Sequence, residues 1–170
     1  MTASTTARLR RLTTPPASQA PVAGRRRAAT LLLRLSCAAL LAWIGYIHLH
    51  LWLEGYRQIP TNGPLFLLDA MAGFLLAAVL LAWPRPLAGL LGAGYTASTL
   101  GALIISLTAG LFGFRESISA SYVVQSLAIE TITVLALLSW TALACHPSRL
   151  LAPATGRRPS SADQGSPAAR

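Results

Sequence analysis

Lysine is absent from this 170-residue chain, acids number only five, and charged residues make up 11% of it. Soluble domains carry about a quarter charged residues. That shortage, with 54% hydrophobic residues and a mean hydropathy of +0.54, excludes a water-solvated globule. Cysteine is scarce too. Cys37 lies inside one apolar run and Cys145 at the end of another, with no CxxC spacing and no companion ligands, which excludes a disulfide framework and a zinc site. Phosphate-loop, HExxH and GxSxG signatures are missing. No catalytic residue, metal ligand or cofactor is therefore assigned, and the chain is expected not to be an enzyme.

What the chain has in quantity is arginine and aliphatic residues. All fourteen basic residues are arginine, giving a net charge of +9. They gather at the two ends and beside apolar runs instead of forming a basic face with interleaved aromatics, so nucleic acid is not expected as a partner. The lipid bilayer is. Arginine without lysine, on a background of Leu and Ala, resembles the product of a GC-rich bacterial genome.

Four apolar runs each approach the roughly 20 residues that a helix needs to cross about 30 Å of hydrocarbon. They cover about 29–51, 64–83, 87–112 and 118–144, and the third lies in the charge-free interval between Arg85 and Arg115. The expectation is an all-α, four-helix transmembrane bundle over 29–145. Residues 1–28 and 146–170, polar and rich in Pro, Ser, Thr and Arg, are expected to be disordered tails. A cytoplasmic N-terminus puts twelve arginines on the inner side and leaves only Arg57 and Arg115 outside, each near an acid, Glu54 and Glu116. The expected setting is a bacterial plasma membrane, spanned several times, with both termini cytoplasmic. A cleaved export signal is disfavoured, because the first run ends in HLHLWLEGY and not in a small-residue site.

In the link GYRQIPTNGP, Asn62 or Gly63 could cap the next helix, and Pro64 suits its first turn. Trp43, Tyr46, Trp52 and Tyr56 near one interface, and Trp83 and Trp140 near the other, are expected to form aromatic belts.

The candidate site residues are the polar groups set within these runs. His48 and His50, two apart, point about 200° from each other on a helix and cannot both serve one metal. His48 shares a stripe with Arg34, Cys37, Leu41 and Gly45, the face expected to look inward. Asp69, five residues past Pro64, matches its depth and leads a stripe with Gly73 and Ala77, so His48 and Asp69 are expected to pair. Glu130 sits about twelve residues into the fourth run. An acid near the bilayer centre costs on the order of 2.5 kcal/mol or more unless paired, protonated or hydrated. Tyr122, Ser126 and Thr133 are expected on its face, with Gln125 at the margin.

In the third run Gly94, Ser98, Ala102, Ser106 and Gly110 recur every four residues, and Gly89, Ala93, Ala97 and Gly101 form an adjacent stripe. Small residues at that spacing let helices approach closely. One stripe could pack inside the bundle while the other meets a second copy or another membrane protein.

The stretch HLHLWLEGYRQIPTNGPLFLLDA, followed by an apolar helix, resembles small four-helix membrane proteins of actinobacteria over roughly residues 30–145. That resemblance implies the fold and supplies no activity. Three functions stay open at this point. The first is a non-enzymatic scaffold or accessory subunit of a membrane complex, packing through the third helix. The second is a proton-coupled carrier or proton path using Glu130, Asp69 and His48. The third is a dimeric haem-binding redox protein using His48 or His50, since His146 falls on the opposite side.

Overall fold

The computed structural model describes residues 20–145, with side chains from residue 24 onward. Among these residues the chain is all helical: α1 (Ala20–Glu54), a 3-10 turn (Tyr56–Gln58), α2 (Asn62–Ala82), α3 (Pro86–Thr108) and α4 (Val123–Cys145). All four long helices have the length and apolarity to cross a membrane. The short 55–61 and 83–85 links make their helices antiparallel neighbours, and after the longer 109–122 link α4 packs back on α3. α1 packs chiefly on α2 and α3 on α4, with α1–α4 and α2–α3 contacts closing a ring.

The sequence is sorted inside-out relative to a soluble bundle. Leu32, Leu68, Met71, Leu75 and Leu135 point outward, whereas Thr96, Thr99, Ser126, Glu130 and Thr133 are buried. Lipid tails are as apolar as leucine, so leucine gains little by turning inward, and close packing of small residues holds the helices. At the α1–α2 crossing two helix backbones meet directly. A Cβ added to Gly73 would lie 2.9 Å from the Gly45 Cα and 3.0 Å from the Leu41 carbonyl oxygen. On the α3–α4 side, a Cβ on Gly89 would collide with the Thr141 hydroxyl and stand 2.9 Å from the Trp140 ring. Cys37, Leu41, Ala77, Leu80, Ala88, Ala93, Leu137 and Trp140 fill the core between these contacts. That core occupies the half of the bundle nearest the short 83–85 link.

Several expected boundaries and faces differ. α1 begins at Ala20, not near residue 29, because Arg and Ala are strong helix formers and extending an existing helix is cheap. The expected disordered tails otherwise fall on residues 1–19 and 146–170, outside the described residues. The α2 N-cap is Thr61, with no side-chain cap; the Asn62 and Gly63 amides instead donate to the Pro60 and Ile59 carbonyls at 2.8 and 2.9 Å. α3 stops at Thr108, so Gly110, with φ of 85°, lies beyond the helix in the left-handed conformation that ends helices. α4 starts at Val123, not 118. Ser117 and Ser119 bond each other at 2.8 Å, and Ser117 caps the Ser119 amide, local bonds that compete with a helix.

Two faces are corrected as well. Trp140 does not join an interfacial belt but is 2% exposed in the core, because Gly89 leaves room for its ring. Trp83 stays at the surface with the Arg85 guanidinium 4.8 Å above its ring. In α3 the inward face is Ala88, Gly89, Gly92, Ala93, Thr96 and Thr99. Of the other stripe Gly94 faces outward, Ser98 is exposed at the edge of the interior, Ala102 is half-buried and Ser106 buried.

The crossing gives a direct test. Gly73→Ala should destabilise the bundle by about 1–3 kcal/mol through overpacking, seen as a lower unfolding temperature in mild detergent. Gly94→Ala, where nothing lies within 4 Å, should leave that temperature unchanged or slightly raised.

Candidate functional site

The half of the bundle opposite the closed core holds a cavity of about 490 Å³, beneath the 55–61 and 109–122 links. His48, Asp69 and Glu130 all line it, from α1, α2 and α4. The crossing at Gly45 and Gly73 explains the first two: His48 is one turn beyond Gly45 and Asp69 one turn before Gly73 on the antiparallel partner. Their facing atoms, His48 Nε2 and Asp69 Oδ2, are 4.0 Å apart.

The tautomer follows from the second ring nitrogen. His48 Nδ1 lies 2.9 Å from the Ile44 carbonyl oxygen, which can only accept, so Nδ1 carries a proton. Nε2 then meets the Asp69 carboxyl either as a lone pair or as an N–H. At 4.0 Å the two groups face each other across the cavity wall without a direct hydrogen bond.

Glu130 is 2% exposed and its Oε2 has no hydrogen-bond partner. Its buried neighbours are satisfied within their own helices: Thr96 donates to the Gly92 carbonyl at 3.0 Å and Thr133 to that of Ile129 at 2.7 Å. The polar group set against the carboxyl is the Thr99 hydroxyl, and it donates to the Thr96 carbonyl at 3.0 Å. One hydroxyl proton cannot serve both. While Thr99 bonds Thr96 its oxygen can only accept, which suits a protonated Glu130; rotated to a carboxylate it would release Thr96. Tyr95, whose phenol donates to the Asp69 carbonyl at 2.7 Å, lies within electrostatic reach of both acids and links α3 to α2 between them.

The rim is made by the links. Tyr56 donates to Glu116 Oε2 at 2.7 Å, and its ring lies 4.8 Å from Phe66 and 5.9 Å, edge-on, from Phe114. Burial, and then the Glu116 carboxylate, push the Tyr56 phenol above its ordinary range, so it stays a donor at any physiological pH. Thr61, Phe112 and Tyr122 have positive φ, of 67°, 50° and 67°. These sterically costly conformations gather in the links around the mouth.

Not every expected site residue joins. Gln125 is exposed on the outer face of α4, because five residues of the same helix turn it about 140° away from Glu130. Tyr122 precedes α4 and is placed by its strained backbone; it lines the cavity and sets its ring 5.3 Å from His50, edge-on. His50 Nε2 is 3.1 Å from Glu54 Oε1, one helical turn on. Gly110 belongs to the rim and not to a packing stripe. Among the described residues no three His, Cys, Asp or Glu side chains form a metal-binding group.

Tyr56, Tyr95, Thr99 and Glu116 were not among the expected site residues. Thr99 had a signal, a second threonine three residues after Thr96 in an otherwise aliphatic and small-residue helix. Tyr56 and Glu116, sixty residues apart, had none. No protein-family model, curated protein or solved structure matches the chain.

Tyr56→Phe keeps the ring packing and removes the bond to Glu116, a loss of about 1.5–3 kcal/mol for a charged acceptor at full burial and less at this partly exposed rim. Amide exchange across 109–122 should quicken by on the order of tenfold, while α1–α4 amides keep their protection.

Proposed function

We propose that this protein is a non-enzymatic, proton-linked carrier of the bacterial plasma membrane, which takes a small molecule into the cavity and couples its occupancy to protons held by Glu130 and the His48–Asp69 pair. The single observation that carries this is the unpartnered Glu130 Oε2, buried in a cavity that also exposes His48 and Asp69. A buried carboxyl without a full set of partners is expensive in a structural bundle. Within a cavity it is available to a proton or a ligand. The arginine asymmetry supports cytoplasmic termini and a cavity that opens outward.

A haem role loses ground on geometry. The Nε2 atoms of His48 and His50 are directed at Asp69 and Glu54, so an axial ligand would first have to give up its carboxyl partner.

A scaffold role keeps one specific observation in its favour, the outward and uncovered Gly94 of α3, which could seat another helix. Gly94→Leu would then abolish co-purification with that partner while the single chain survives. An unchanged complex removes this reading.

For the carrier, the protein should be reconstituted in vesicles enclosing a pH-sensitive dye. Wild-type vesicles should dissipate an imposed pH gradient several-fold faster than protein-free ones, and Glu130→Gln should fold yet return the rate to the protein-free value. Wild-type vesicles as tight as empty ones would overturn the proton-linked reading.

A further inference from the structure

The charges that line the cavity say what kind of molecule it accepts. Three carboxyl residues, Asp69, Glu116 and Glu130, and one histidine border it, and among its lining residues there is no arginine, in a chain that carries fourteen. An anionic ligand would meet three carboxyls with only His48 to offset them, a poor exchange for its hydration. A bare metal ion would find no group of three His, Cys, Asp or Glu side chains among the described residues and a wall surface that is mainly apolar, which cannot replace its water shell. A neutral apolar molecule would fill the walls and leave Glu130 Oε2 as it stands, buried without a partner.

The walls fit an organic body. Tyr56 packs tilted on Phe66 at 4.8 Å and edge-on to Phe114 at 5.9 Å, and an aromatic cluster beside carboxyls attracts a cation through its ring faces. A cavity of about 490 Å³ lies within the range of about 300–1,000 Å³ of small-molecule sites. We infer that the cavity binds a lipophilic amine in its protonated form, with the ammonium N–H groups donating to Glu130 Oε2 and Asp69 and the apolar body lying against Phe66, Phe114 and Ile105.

This deepens the carrier reading and rests on it. An ammonium ion arriving at Glu130 supplies a positive charge and a donor where a proton would otherwise sit. Proton and amine therefore compete for the same oxygen, which is the chemical requirement for exchanging one against the other.

The test uses three probes with one body: 2-naphthylmethylamine, the neutral 2-naphthylmethanol and the anionic 2-naphthoate. Each is titrated by calorimetry into the intact protein in zwitterionic nanodiscs, with empty nanodiscs subtracted. The amine should bind at least about tenfold more tightly than the alcohol, and the naphthoate should show no binding. In Glu130→Gln, verified by its elution volume and helicity, the amine and the alcohol should bind alike. If that variant fails to fold, the wild-type ranking decides alone. Equal binding of amine and alcohol to the wild type, or an amine preference that survives in Glu130→Gln, would overturn the cation assignment and leave the cavity reading standing. Binding of none of the three would overturn both.

Discussion

Everything distinctive in this bundle depends on the bare approach of two backbones at Gly45 and Gly73. Without a side chain on either, α1 and α2 touch closely enough that no third group separates them. The turn above that contact then has to put His48 opposite Asp69. In water, an apolar core would hold two helices together and polar residues could sit anywhere on the rim. In lipid, where burying leucine against leucine gains almost nothing, the close contact itself is the main attraction. The position of that contact along the helices decides where the interior is solid and where it opens.

The consequence is a molecule of two unlike halves. At the 83–85 end, Leu41, Leu80, Leu137 and Trp140 meet over Gly89 and Gly92, and the four helices interlock. Toward the other end Thr99, Ser106 and Ser126 replace the large aliphatics, and the interior widens into the cavity. The acids follow the same division. All those in the described chain lie in the open half or its rim, with Glu130 deepest. The closed half leaves polar atoms unpaired too, since the Thr141 hydroxyl and the Trp140 indole nitrogen packed against Gly89 have no hydrogen-bond partner.

Much of this was legible in the residues alone. Four spans follow from hydropathy and length, and the inward face of α1 follows from the Arg34, Cys37, Leu41, Gly45 and His48 stripe. The matching depth and small-residue face of Asp69 bring it to His48. The ends of α3 and α4 were not legible, because hydropathy does not register where backbone bonding stops. Apolar residues run on through Phe112 and from Ile118, while Gly110 and the Ser117–Ser119 bonds have already ended the helix or not yet begun one. Gln125 was misplaced for another reason, since a spacing of five residues turns it about 140° from Glu130 on one helix. Trp140 looked interfacial because its distance along the chain fits a belt, yet Gly89 faces it from a helix whose registration no single span reveals. The Tyr56–Glu116 bond joins two links whose proximity exists only once all four helices are assembled.

A bundle locked at one end and open at the other behaves as a lever. From Gly45 to Glu54 the chain climbs nine residues, about 13.5 Å at about 1.5 Å per residue. A tilt of about 10° around the glycine contact therefore carries the rim about 2 Å, while residues beside the contact hardly move. Glycines facing one another offer little resistance to such a tilt, having no interlocking side chains to ride over. A small rotation at the least conspicuous residues of the chain would thus be felt as a change of about 2 Å at the mouth, with the closed core as the body against which it is made.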